Sequence, residues 1–387
     1  MFSNKYNFEN FDIEKNNNIE VYRYLNVITD FESVYSFSTI KNGENDEKNK
    51  NINENNFSLP KLRNTIIDLN QIKEHLKTMM DWNFDNFKLS DLSNYQPILY
   101  LGKEIFEQHN FQKHFNLKLS TIESFLTTME NQYHVDLPYH NNIHAADVLH
   151  AMNYFISQPI LDNSLTIEEK FACIVSAIIH DIDHPGVSNS YEIKYSEPLS
   201  KTYNSKSVLE NHHCSLAFKI FRECSECNIL KNLSKIQYNY IRSLIINMVL
   251  ATDMAYHKSY LDEFTEKLNN KTFNINNSKD RKLLLCILIK CADISNPTKI
   301  NNIAIQWSNR LFEEDQIQSV NELKQNNYTL SPLIKQDCIS KSENQTSFIR
   351  TFVKPIFEQL GSFLDVDNFI ALKQLEENDT FWENYKE

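Results

Sequence analysis

An all-α fold, a compact multi-helix bundle, is predicted by three features of the sequence. Only 4 glycines and 9 prolines occur in 387 residues, too few for a hairpin-rich β fold, whose turns need many residues of positive φ. Two runs, FACIVSAIIH (171–180) and RKLLLCILIKCA (281–292), are apolar nearly all round yet too short to span a bilayer, as central bundle helices are. A third segment, 241–257, sets Ile241, Leu244, Ile245, Met248 and Val249 on one helical face.

Taken in order, residues 1–60 read as a poorly ordered leader. Its aromatic, β-branched stretch 19–40 suits a short strand or docking segment, and KNGENDEKNKNINENN (41–56) has too few apolar side chains to offset the entropy of ordering. From residue 61 to 387 helical periodicity dominates, which predicts one large helical domain. The polar stretch 269–280 reads as a loop between helices, and SKSENQTS (340–347) as a polar stretch preceding an apolar helix. No repeat at a solenoid period is apparent.

Hydrophobic residues make up 41% and charged residues 23%, the balance of a folded globular chain. The net charge of −12 repels polyanions, which argues against nucleic acid as a partner. A small anionic substrate is still compatible, because bound cations reverse the field locally. The 7 cysteines are odd in number and several lie in apolar runs, as reduced intracellular thiols do. Cys224 and Cys227 form a lone C-x-x-C without a second half. No apolar run is long enough for a transmembrane segment and the N-terminus has no signal-like core, so a soluble cytoplasmic protein is expected.

The chemistry concentrates in three segments. YHNNIHAADVLH (139–150) places His140 and His144 four apart, on one face if a helix begins before His140. HDIDHPG (180–186) follows the first apolar helix directly, and CADISNP (291–297) closes the second with Asp293 and Asn296 ahead of Pro297. Each of these groups alone reads as a cap or a satisfied core residue. Ionisable groups gathered at the ends of buried helices, however, are costly without a partner, and a divalent cation is the natural one. His144, His180, Asp181 and Asp293 make a mixed N/O set, whereas a closed structural zinc site favours cysteine. Asp181, with two carboxylate oxygens, is the best bridge between two metals, and His140 is on hand as an acid.

These segments resemble the catalytic domain of class I 3′,5′-cyclic nucleotide phosphodiesterases, in the HD metal-hydrolase superfamily. YHNNIHAADVLHA, HDIDHPGVSN, SVLENHH, LATDMAYH, KCADISNPTK and QTSFI carry the resemblance, in order and at family-like spacing. It implies an HD-type helical bundle that opens cAMP or cGMP to the 5′-monophosphate. It implies Zn2+ on His144, His180, Asp181 and Asp293, with Asp181 shared with a Mg2+ or Mn2+ ion. His140 would protonate the leaving O3′, and His184, Glu210 and Thr252 would orient ligands and waters. Glu210 also has a plain reading as a capping box with Ser207, and His212 and His213 read as packing groups or as groups that orient ligands, not as ligands themselves. Tyr139, Asn296, Leu311, Gln345 and Phe348 would form the purine pocket; by pattern alone Phe348 is core.

Two departures from the family pattern bear on the base. Relatives carry aromatics and then Gln-Gly-Asp where this chain has Asp315-Gln316, and Ala304 replaces a tyrosine that fixes the purine-reading glutamine. A Gln345 free to rotate would suit adenine or guanine, so cGMP-selective or dual activity stands as an alternative to cAMP selectivity. The alternatives of another class are a phosphohydrolase of linear nucleotides and a catalytically silent nucleotide-binding regulator. A homodimer is compatible with the resemblance.

Overall fold

The computed structural model describes residues 67–195, 197–325, 340–364 and 369–386. The leader 1–60 lies outside them. Every regular element among the described residues is helical. Apart from two 3-10 turns, Met254–Tyr256 and Asn296–Thr298, these are in chain order α1 (Leu69–Leu76), α2 (Asn86–Leu92), α3 (Pro97–Gln108), α4 (Phe111–His114), α5 (Leu119–Glu130), α6 (Asn142–Ile156), α7 (Pro159–Ser164), α8 (Ile167–Ile179) and α9 (Asn189–Tyr195). They continue with α10 (Glu197–Thr202), α11 (Val208–Glu223), α12 (Lys235–Ala251), α13 (His257–Asn269), α14 (Ser278–Asp293), α15 (Asn301–Gln325) and α16 (Lys341–Phe348). A π-turn, Ile349–Val353, then leads into α17 (Lys354–Leu364), and α18 (Ile370–Glu383) ends the described chain.

The apolar runs become the centre of the bundle. α6, α8 and α14 pack pairwise on one another, and α12 packs on α8 and α14. Phe171 to Ile179 and Leu283 to Ala292 are buried without interruption, because a helix with neighbours on every side keeps no polar face. α12 keeps one, and Ile241, Leu244, Ile245, Met248 and Val249 are all buried. α8 starts at a capping box between Thr166 and Glu169, and the Glu169 carboxylate also holds Arg281 of α14 (2.8 Å) and the Tyr240 hydroxyl of α12 (2.7 Å). One buried acid thus ties three central helices at a common end.

Three local readings change. α6 begins at Asn142, capped by the Asn141 side chain, which accepts from the amides of Ile143 (2.9 Å) and His144 (3.4 Å); His140 therefore lies in the loop before the helix and shares no helical face with His144. Ser207 adopts a left-handed conformation and makes no cap bond, and its hydroxyl goes to Asp253 (2.7 Å), so no capping box occupies Glu210. The polar stretch 340–347 is helical: Ser340 caps α16 by accepting from the amide of Glu343 (3.1 Å).

The chain leaves α8 through a tight turn in which Asp183 (φ 60°) and Gly186 (φ 73°) are both left-handed. Asp183 is held there by His134 (2.8 Å) and His212 (2.7 Å) on its two oxygens. A Cβ on Gly186 would lie 2.5 Å from Leu137 Cδ2. Gly186→Ala is expected to cost about 1–2 kcal/mol from backbone conformation alone, with the Leu137 contact added. A thermal melt should show a Tm several degrees lower.

Candidate active site

The three central helices deliver one donor set to a single point. His144 sits in the first turn of α6, His180 caps the C-terminus of α8 with Asp181 next, and Asp293 is the last residue of α14. One ligand atom from each of the four lies within 4.8 Å of every other. His180 Nε2 is 3.3 Å from His144 Nε2, 3.2 Å from Asp181 Oδ2 and 3.4 Å from Asp293 Oδ1. His144 Nε2 is 3.1 Å from Asp293 Oδ1 and 3.6 Å from Asp181 Oδ2. Both imidazoles are buried, while Asp181 and Asp293 are 13% and 19% exposed, so the cluster opens on its carboxylate side.

This donor set fits a metal ion. The carbonyl of Ala177 can only accept, so the contact from His180 Nδ1 (3.0 Å) places the hydrogen on Nδ1 and leaves a lone pair on Nε2. That lone pair faces two carboxylate oxygens and the Nε2 of a second imidazole. A single proton relieves one of these contacts; a dication satisfies all four donors at once. Burial disfavours charge on His180, but Asp181 outweighs it and holds the imidazole well above its ordinary value. Burial likewise opposes ionisation of Asp181, and His180 holds that carboxyl well below its usual range. The field that draws a proton here is the field that would draw a cation.

The two Asp181 oxygens look in different directions. Oδ2 faces the histidine pair, while Oδ1 lies 3.7 Å from Nε2 of buried His213. His213 donates from Nδ1 to the carbonyl of Ile182 (2.6 Å), and burial pushes its pKa down to about 4, so its neutral Nε2 also presents a lone pair. Glu210 is buried behind this side, with both oxygens receiving Asn189 Nδ2 (3.0 Å each). The Thr252 hydroxyl donates to the carbonyl of Val249 (2.7 Å).

His140 forms a second group with His184 and Glu314. Glu314, from α15, accepts from His140 Nδ1 (2.5 Å) with Oε1 and from the amides of Tyr139 (2.8 Å) and His140 (3.0 Å) with Oε2. Burial opposes the imidazolium, but the charge of Glu314 and its hydrogen bond outweigh that cost and raise His140 to about 9. Burial also works against the Glu314 carboxylate, and His140 brings it down to about 2. The His184 ring stacks on His140 at 3.9 Å. Its Nδ1 accepts from the Gly186 amide (3.1 Å), and burial with the adjacent His140 charge keeps it neutral, well below its usual value.

On the opposite side, Tyr139 lies with its ring 4.6 Å from His144 and 5.5 Å from Trp307, in an apolar group with Ile143 and Ile303 that Leu311 joins. The Tyr139 hydroxyl donates to Asn296 Oδ1. Asn296 Nδ2 donates to Asp147 Oδ2 (2.9 Å), and Asn86 Nδ2 donates to Asp147 Oδ1 (3.0 Å). Gln345, buried, and Phe348 sit three residues apart on α16. α16 meets α15 where Lys341 Nζ donates to Asn309 Oδ1 (2.7 Å) and lies 4.9 Å above the Phe312 ring. Glu314 and Asp147 are the two site carboxylates that sequence reasoning passed over.

Comparison with known proteins identifies the family. Residues 139–375 match the family described as 3′5′-cyclic nucleotide phosphodiesterase. The chain is 33% identical over 344 residues to the human high affinity cAMP-specific and IBMX-insensitive 3′,5′-cyclic phosphodiesterase 8A, covering 84% of this chain and 41% of that protein. It is 33% identical over 320 residues to the mouse 3′,5′-cyclic-AMP phosphodiesterase 4C, covering 81% of this chain and 46% of that protein. It thus spans less than half the length of either relative. The matched region contains every donor of the histidine–aspartate cluster as well as His140 and Glu314, and on this evidence the chain belongs to the 3′,5′-cyclic nucleotide phosphodiesterase family.

Proposed function

We propose that this chain hydrolyses cAMP to 5′-AMP at the four-residue centre, with His140 as the general acid. The observation that carries the reading is the histidine–glutamate pair beside an open cluster of four metal donors. His144, His180, Asp181 and Asp293 would hold Zn2+, and Asp181 would share a Mg2+ or Mn2+ ion on the side of His184, Glu210, Thr252 and His213. When bound, such ions supply Lewis acidity at the phosphodiester and lower the pKa of water. The chain's own residues perform the remaining work. Glu314 keeps a proton on His140 Nδ1, which directs the transferable proton to Nε2. That proton goes to O3′ as water oxygen attacks phosphorus and the P–O3′ bond breaks; the proton the water gives up would restore the acid form of His140, which the charge of Glu314 favours near neutral pH.

The purine side supports adenine. Asp147 accepts from Asn296 Nδ2, so the Asn296 amide turns its oxygen to the Tyr139 hydroxyl, the side on which the base would lie. An amide oxygen accepts from the exocyclic amine of adenine and meets the carbonyl of guanine as acceptor against acceptor. Both relatives described above are also named for cAMP. The cGMP-selective or dual alternative loses its support on both counts. Gln345, Phe348 and Leu311 would supply the remaining purine contacts, and the full donor set argues against a silent regulator. Among the described residues no helix is long and apolar enough to cross a membrane.

Purified protein assayed side by side with cAMP, cGMP and linear nucleotides, with Mg2+ or Mn2+ added, tests the proposal. Conversion of cAMP to 5′-AMP with kcat/KM well above that for cGMP is expected. Activity confined to linear nucleotides, or no turnover of either cyclic substrate, would overturn it.

A further inference from the structure

Beneath the purine side lies a buried lysine that none of the catalytic roles uses. Lys299 is fully buried; its Nζ donates to the carbonyl of Trp82 (2.8 Å) and to His150 Nδ1 (3.2 Å). It stands 4.0 Å from the centroid of the Trp82 ring and 3.9 Å from Asp147 Oδ1. The directions of these bonds are forced. His150 Nε2 meets the carbonyl of Asp81 (2.9 Å), which only accepts, so the hydrogen is on Nε2 and Nδ1 must be the acceptor from Lys299. Trp82 in turn donates from Nε1 to the carbonyl of Thr298 (2.8 Å), next to Lys299 in the chain.

The lysine has no solvent and its two hydrogen-bond acceptors are neutral. Asp147 is the anion that faces it within 4 Å. A buried ammonium is costly without a counter-charge, and Asp147 stands where that charge is needed. Both oxygens of an ionised Asp147 can only accept. This is what compels Asn86 and Asn296 to present their amide N–H groups to it, and compels Asn296 to turn its oxygen away, to the Tyr139 hydroxyl. An amide in place of this carboxylate could donate to Asn296 Oδ1 and let the Asn296 amide rotate, offering N–H to the base instead.

We propose that Lys299 is a positioning residue for base selectivity: its charge, acting through Asp147, fixes the Asn296 amide in the orientation that accepts from adenine. The inference deepens the cAMP reading and rests on it. Lys299 touches neither the base nor any metal donor, so its effect should appear in the choice between purines, which general loosening of the fold does not change.

The test compares kcat/KM for cAMP and cGMP in the wild-type chain, in Lys299→Met, which keeps the stem and removes the charge, and in Asp147→Asn, which reads the same relay from its other end. The cAMP/cGMP ratio should fall about tenfold or more in each variant, the scale of one mispaired buried hydrogen bond, while bound metal per chain stays at the wild-type value. A wild-type ratio retained in Lys299→Met would overturn the proposal. Should that variant not fold, Asp147→Asn decides, and a retained ratio there would overturn it. If the wild-type chain itself prefers cGMP or turns over neither substrate, the cAMP reading fails, which is distinct from the relay failing within a cAMP-selective enzyme.

Discussion

Replacing Asp293 by alanine is expected to lower kcat/KM for cAMP by roughly 10³-fold or more, about 4 kcal/mol at about 1.36 kcal/mol per decade. It should also strip the tight metal from the purified protein. Asp293 is the last residue of α14 and its Oδ1 lies 3.1 Å from His144 Nε2 and 3.4 Å from His180 Nε2. Without it, two imidazole lone pairs face a single carboxylate, and a donor set short of one anion holds a dication far less tightly. His180→Ala should do the same, since it removes a donor within 3.4 Å of all three others. Metal analysis together with a cAMP assay checks both variants. Wild-type metal content or activity in either would remove that residue from the ligand set.

His140→Gln is expected to separate chemistry from metal binding. Turnover should drop by about 10²–10⁴-fold, the usual worth of a positioned proton donor, while metal content stays unchanged. Loss of metal instead would make His140 a ligand. Glu314→Gln probes the same proton through its pH dependence. As the proposed acid His140 would need its proton, and Glu314 raises it to about 9, so wild-type activity should fall only as pH rises through that region. Without the glutamate charge the imidazole returns towards its ordinary value of about 6.5, and the alkaline limb should move to lower pH. An unmoved limb would show that another group carries the titration.

Much of this site was legible before any fold was known, because burial exposes its chemistry. His180 and Asp293 stand out by closing apolar runs in which charge is costly, and the bundle places them together as those runs imply. The parts that were not legible have particular reasons. Glu314 lies 174 residues from His140 and sits in NRLFEEDQIQ, a stretch that reads as an ordinary solvated helix face. No local pattern marks one of those acids as buried. Asp147 did leave a signal, a lone carboxylate inside the apolar stretch HAADVLHAM and three residues beyond His144. Four-residue spacing suggested a shared helix for His140 and His144, but the Asn141 side chain caps the helix between them. Polarity made 340–347 look like a preface to a helix, although Ser340-x-x-Glu343 already carried the spacing of a cap. In the proposed reading the purine preference rests on which way the Asn296 amide faces; residue identity leaves that direction open, and it is the bond from Asn296 Nδ2 to Asp147 that orients it.

The most direct test is reconstitution. The purified chain, stripped of metal by a chelator and returned to chelator-free buffer, is assayed for conversion of cAMP to 5′-AMP before and after stepwise addition of Zn2+ and then Mg2+ or Mn2+. No turnover of the stripped wild-type protein, recovery on metal addition, and no recovery in Asp293→Ala are the expected results. Undiminished turnover by the stripped protein, or full recovery in Asp293→Ala, would contradict a reaction centred on the histidine–aspartate cluster.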